Sequence, residues 1–229
     1  MSLGKLFKNR IWQIAWQLFS RLFILIGLAW LAWGLDDFGG FLSNPVRLAY
    51  VTLIVAQTLF IGWLLLRIPP NPDHEQHRDL EHWHYSLVEL IYILSAFGDR
   101  RNILAWVENP ALRWAGLGIY LLGMIYAAWA NITWVNHLRR EGGSALDNAV
   151  LLTEGPYRWV RYPSLLMLAF YGLGFALAFR SWTGLAIFVP LLVTIARRAS
   201  LWDKDYAARY KKAWDLRARE SKRIIPFLY

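Results

Sequence analysis

Val150-Leu151-Leu152-Thr153-Glu154-Gly155-Pro156-Tyr157-Arg158-Trp159-Val160-Arg161-Tyr162-Pro163-Ser164 lies between two apolar blocks, and its reading decides the fold. Charged and turn-forming residues between apolar segments make a loop at a membrane face. Gly155-Pro156 is a turn signal, because glycine permits unusual φ and proline fixes its own. Arg158 and Arg161 are three apart, which puts them on one side of a helical turn. Pro163 suits the first turn of a new helix. Two guanidiniums and three aromatic rings at such a surface can hold an anionic, aromatic ligand. Equally, the arginines can face lipid phosphates while the rings form an interfacial belt.

Working outward, the chain of 229 residues is 57% apolar and has no cysteine. The apolar residues come in runs long enough for a bilayer core of about 30 Å. An all-α, polytopic integral membrane protein with a single membrane domain follows. The lack of cysteine excludes disulfides, thiolate metal sites and a cysteine nucleophile. Net charge is +9, yet the basic residues sort by membrane side, so nucleic acid is not the expected partner. Every Lys and Arg except Arg21, Arg47, Arg100, Arg101, Arg113 and Arg180 falls on one face or in its tail. That bias makes the crowded face cytoplasmic. Lys5, Lys8 and Arg10 precede an apolar run with no small-residue cleavage site, which reads as a retained helix. The expected location is a prokaryotic inner membrane with both termini cytoplasmic.

Six spans are expected: about Ile11 to Leu35, Pro45 to Arg67, Trp83 to Gly98, Ala111 to His137, Pro163 to Phe179, and Leu185 to Ala196. The third is short and carries Glu89, a functional candidate by its setting, or a partner for Arg21. Asp99 to Pro110 is then an external interfacial segment. Gly116 and Gly123 allow close helix contacts. The last two spans form a short hairpin, packed closely at Gly172 and Gly174, with Pro190 kinking its second arm. A basic tail begins at Arg197-Arg198. Its Trp202, Tyr206, Tyr210 and Trp214 recur every four residues, the pattern of an amphipathic helix lying on the inner leaflet. His74, His77, His82 and His84 cluster in one loop. Their spacing lacks the sharpness of a metal motif, and a solvated loop is the better reading.

Leu151 to Ser164 resembles the signature of the isoprenylcysteine carboxyl methyltransferase and phospholipid methyltransferase superfamily, which usually reads Leu-Val-Thr-x-Gly-Pro-Tyr-Arg-x-x-Arg-His-Pro-Ser. The resemblance covers the C-terminal half, from about Trp129 onward, and divides the domain into N-terminal helices (1–110) and a methyltransferase-like half (111–229). Tyr162 stands where the family has histidine. In the tail, Trp202 and Asp203 fall at the family's paired acids, so one acid is lost. The ending Arg223-Ile224-Ile225-Pro226 matches. The resemblance implies an S-adenosylmethionine-dependent methyltransferase acting on a small or lipidic acceptor at the cytoplasmic face. In that picture backbone groups of Ala149, Val150, Leu151 and Leu152 pair with the adenosyl portion. Tyr157, Tyr162 and Trp202 supply aromatic faces for a sulfonium cation, and Asp203 supplies a charge or a hydrogen bond to the amino group. Arg158, Pro163 and Ser164 complete the loop, while Arg198 or Arg161 holds an anionic acceptor. A tyrosine at 162, with pKa near ~10, would replace a histidine base poorly.

The ending also resembles that of NADPH-dependent sterol C14 reductases, in which Arg158, Arg161 and Arg198 would grip a 2′-phosphate. A third reading is a non-catalytic member that binds lipid or a partner.

Overall fold

The computed structural model describes residues 3–67, 82–141 and 152–224. Its helices are α1 (Leu3–Leu22), a π-helical turn (Phe23–Gly27), α2 (Leu28–Trp33), α3 (Phe38–Ser43), α4 (Pro45–Arg67), α5 (His82–Arg101), α6 (Pro110–Glu141), α7 (Pro163–Ala178), α8 (Trp182–Tyr210) and α9 (Lys212–Glu220). No strand occurs among the described residues; there are only two isolated bridges, Ala105 with Ser181 and Val160 with Lys222.

Four helical stretches are long and apolar enough to cross a membrane: Ile14–Trp33, Pro45–Arg67, Pro110–Arg140 and Trp182–Tyr210. α7 is apolar but has 16 residues, a length of roughly 24 Å at 1.5 Å per residue. α5 has 20 residues but carries Glu89, Asp99, Arg100 and Arg101. This is an all-helical chain with a membrane protein's apolar helices.

The helix ends follow from local chemistry. Asn44 Oδ1 accepts from the Val46 amide at 2.9 Å, and Pro45 opens α4, where it has no amide to leave unpaired. Asp37 caps α3 by accepting from Gly40 N at 2.9 Å. Ser181 does the same for α8, accepting from Gly184 N at 2.9 Å.

Some boundaries differ from expectation: α1 begins at Leu3, well before Ile11, and α5 runs to Arg101, so that Asp99 is a buried helical residue and not part of an external segment. The second hairpin arm does not stop at Ala196; α8 continues unbroken for 29 residues, through Pro190, to Tyr210. Ala196-Arg197-Arg198-Ala199-Ser200-Leu201 contains no helix breaker. The break comes at Lys211, which takes φ 48°. The stripe of rings is therefore split between two helices. Trp214, on α9, is 2% exposed and sits inside the protein, not on a leaflet.

Packing is tightest between α6 and α7. A Cβ built on Gly116 would lie 2.7 Å from Gly174 O, and one on Gly123 would lie 2.6 Å from Phe170 Cβ. Gly172 meets Leu191 of α8, as expected of a hairpin, whereas Gly174 serves the contact with α6. Around this seam Tyr50, Tyr92, Phe175 and Phe179 form a buried aromatic core, with Phe175 and Phe179 stacked at 4.0 Å.

A polar knot closes one end of the bundle. The Asp99 side chain is 1% exposed and accepts from Arg47 Nη1 at 3.0 Å, Arg113 Nη2 at 2.8 Å and Arg180 Nε at 2.7 Å. Glu108 pairs with Arg113 at 2.6 Å and Arg180 at 3.2 Å. Further donors go to the carbonyls of Phe41, Gly40, Ala178 and Trp106. Nearby, Arg100 bonds Asp36, and Arg101 donates to the carbonyls of Ala32 and Trp33. Five of the six arginines set apart by the charge pattern thus lie at this end, each tied to the chain's own acceptors.

Candidate functional site at the Asp203 end

The Gly155–Arg158 segment is a single 3₁₀ turn. Gly155 has φ 55°, and a Cβ there would lie 2.5 Å from Thr133 Oγ1 of α6. Both facts demand glycine. The turn is further held by Trp159, whose ring meets Trp129 edge-on at 5.7 Å. Arg140 and Glu154 pair at 2.5 Å, but both are more than half exposed, so the pair adds little.

Beyond the turn, the chain runs beside the final segment. Lys222 N donates to Trp159 O at 2.9 Å, Arg161 N to Lys222 O at 2.8 Å, and Tyr162 N to Arg223 O at 3.0 Å. This short backbone pairing places Arg223 next to Arg161. Arg217 of α9 donates from Nη2 to Tyr157 O. Burial, with Arg161 close by, lowers the Arg217 pKa to about 10.

These elements converge on Asp203, from the C-terminal part of α8. Its Oδ1 accepts from Arg161 Nε at 3.1 Å and from the Tyr162 hydroxyl at 2.7 Å. Its Oδ2 accepts from Arg161 Nη2 at 2.8 Å and Arg223 Nε at 2.5 Å. Four donors fill the four lone-pair positions of a carboxylate. A ligand amino group reaches Asp203 only by displacing one of them. Arg161 is equally committed, since Nη1 donates to Ser221 O at 2.5 Å and Ala218 O at 3.2 Å. Burial, then the hydrogen bond to Asp203, drives the Tyr162 pKa upward. The Tyr162 hydroxyl is thus held as a donor to Asp203.

Rings surround the carboxylate. Tyr162 lies 5.2 Å from Trp202 and 6.4 Å from Tyr206, which lies 5.2 Å from Trp214. The Arg198 guanidinium sits 4.8 Å from the Trp202 ring. Its Nε is buried with no hydrogen-bond partner, and no ion pair engages it among the described residues.

The structure therefore brings together Arg161, Tyr162, Trp202, Asp203 and Arg198. Tyr157 is half-buried, its carbonyl held by Arg217 and its hydroxyl pKa raised by burial. Pro163 is buried at the start of α7, Leu152 is buried, and Arg158 and Ser164 are exposed. Ala149, Val150 and Leu151 lie outside the described residues, as do His74 and His77. Among the described residues, no group of three or more His, Asp or Glu side chains is placed to hold a metal. Sequence reading passed over Arg217 and Ser221, and gave no role to Arg223 or Tyr206. The one available signal was the Arg223-Ile224 ending.

A concavity of about 690 Å³ opens on the other flank of the turn, lined by Trp129, Thr133, Asn136, Arg139, Arg140, Glu154 and Gly155. It shares Gly155 with the turn, but none of its lining belongs to the Asp203 cluster. Chemistry, not volume, singles out the cluster. The chain matches no protein-family model, no curated protein and no solved structure.

Proposed function

We propose that the protein is an integral membrane methyltransferase that moves a methyl group from S-adenosylmethionine to a small or lipidic acceptor at the cytoplasmic face. The observation that carries this reading is the convergence of the 155–163 turn, the C-terminal part of α8 and the final segment on Asp203, with the rings of Tyr162 and Trp202 beside it. In this reading α5 and α7 also span the membrane, giving six spans with both termini on the Asp203 side.

Residue roles follow from what each side chain already holds. Arg161, Tyr162 and Asp203 are positioning residues that hold the loop to the tail. Trp202, Tyr162 and Tyr206 offer faces to a cationic sulfur centre. Arg198, with an unfilled donor, takes the carboxylate of the donor molecule or of an anionic acceptor. A sulfonium donor supplies an electrophilic methyl group: the acceptor's lone pair forms the new bond to carbon, the carbon–sulfur bond breaks, and its electrons remain on sulfur. Such a displacement discharges a cation and needs alignment and dryness more than proton transfer.

The local charge favours a second reading. Arg161, Arg198, Arg217 and Arg223 outnumber Asp203, an excess that suits the phosphates of NADPH in a reductase. Against it, the Tyr162 hydroxyl is already donated to Asp203 and its pKa is raised. Calorimetry on the detergent-solubilised protein with S-adenosylhomocysteine and with NADPH separates the two. The methyltransferase reading expects heat with the first alone, weakened by Arg198→Ala. Heat with NADPH alone reverses the assignment, and heat with neither leaves a non-catalytic binder.

A further inference from the structure

Two concavities of different character open on α6. The polar one beside the 155–158 turn, of about 690 Å³, takes Trp129, Thr133, Asn136, Arg139 and Arg140 from this helix. The other is an apolar groove of about 200 Å³ between α4 and α6, with Phe60 in one wall and Leu121, Ile125 and Ala128 in the other. Ile125 of the groove and Trp129 of the polar concavity are four residues apart, so they are neighbours along one face of the helix.

That face changes chemistry along its length. Leu122, Ile125 and Trp129 are exposed, and Thr133, Asn136 and Arg140 continue the same spacing of three or four residues. The stripe is thus apolar, then polar, then cationic. A bilayer core takes about 20 helical residues, whereas the apolar span Pro110–Arg140 has 31 residues. Counted from Pro110, Thr133 and everything after it fall at headgroup depth. The Trp129 and Trp159 rings, in edge contact at 5.7 Å, suit the boundary just before it.

The polar concavity holds two guanidiniums and one carboxylate. Glu154 is matched by Arg140. Arg139 is exposed and has no ion pair among the described residues, so it supplies the net positive charge. Its N–H fork fits the oxygens of a phosphate. The Thr133 hydroxyl donates to Trp129 O at 2.9 Å, and its oxygen keeps lone pairs for a headgroup hydroxyl. A basic recess between membrane helices is a form that anionic lipid headgroups occupy.

We propose that α6 carries a binding site for one anionic phospholipid, with the phosphate on Arg139 and Asn136 in the polar concavity and an acyl chain in the α4–α6 groove. Only an amphiphile uses both: a free phosphate has nothing to set against Ile125, and a neutral chain nothing to offer Arg139. The site shares no side chain with the Asp203 cluster and stands whether or not the protein transfers methyl groups.

Native mass spectrometry of the full-length protein in detergent tests this by titration with dioleoyl phosphatidylglycerol, dioleoyl phosphatidylcholine and glycerol phosphate. The wild type should bind phosphatidylglycerol about tenfold more tightly than phosphatidylcholine, and glycerol phosphate more weakly than either. Arg139→Gln should remove the preference, while Arg219→Gln, at another exposed arginine on α9, should leave it intact. Ala128→Phe, which fills the groove, should weaken both lipids alike. If Ala128→Phe does not fold, the two arginine variants decide alone. Equal binding of the two lipids, a preference that both arginine variants lose alike, or lipid affinity unchanged by a folded Ala128→Phe overturns the proposal. So does glycerol phosphate binding as tightly as phosphatidylglycerol, which would make the ligand a free phosphate.

Discussion

Each end of the bundle is organised by one aspartate among arginines, and the two differ in what is left over. At Asp99, three arginines and a second acid are sealed with their donors directed to backbone carbonyls. At Asp203, the carboxylate is also saturated, but its side chain is 13% exposed and Arg223 is 35% exposed. Rings lie beside it, and Arg198 sits over Trp202 with its Nε unbonded. The same residue types therefore make a sealed pin at one end and a partly exposed cluster at the other. What separates them is whether the neighbouring cations have spent their donors.

The largest expected effect breaks the pin. Asp99→Ala leaves Arg47, Arg113 and Arg180 buried with only Glu108, and should cost about 3–5 kcal/mol of stability, read as a fall in thermal midpoint in detergent. Asp203→Asn keeps the shape and weakens the bonds from Arg161 and Arg223. It should cost less, about 1–3 kcal/mol, while reducing S-adenosylhomocysteine affinity by more than tenfold. A larger stability loss at 203 than at 99 would dissolve the distinction.

Between the two ends, Gly116→Leu should destabilise by about 1–3 kcal/mol or more through overpacking against α7. Gly118→Leu, where an added Cβ meets nothing within 4 Å, should be nearly silent in the same melt. Tyr162→Phe removes one of four donors to Asp203 and should cost about 1 kcal/mol; an unchanged melt would mean that the hydroxyl prefers water.

The smallest effect concerns the exposed bridge at the pinned end. The hydrogen bond from Arg100 lowers the Asp36 pKa to about 2. Because the folded value lies below the ordinary 3.8, the bridge's contribution is complete above the ordinary value and fades as pH falls through about 2. Carboxyl titration by NMR should give that midpoint in the wild type, and Arg100→Gln should return it toward the ordinary value.

Much of the helical frame was readable in advance. Asn44-Pro45 opens α4, so that boundary was written in local chemistry. Gly116 and Gly123 likewise announced a close helix contact. The aspartate knots were not legible, because residues 47, 99, 108, 113 and 180 carry no periodic relation. Only the fold makes them neighbours. The pairing of Asp203 with the 155–163 turn was suggested by a motif resemblance, and nothing in spacing required it. The continuity of α8 was missed because a cluster of basic residues was taken for a boundary, although charge does not interrupt a helix and a left-handed residue such as Lys211 does.

The π-helical turn at Phe23–Gly27 also has a consequence for the evolution of this helix. A π-turn carries one residue more than the α-helical path around it, and each residue advances an α-helix by about 100°. Deleting a single residue there would let α1 and α2 merge into a regular helix. If α2 keeps its packing, everything before the deletion, Arg21 included, would swing through roughly that angle. The irregularity thus fixes the azimuth of Arg21 on an apolar helix, and a one-codon loss would be felt as a rotation instead of a shortening.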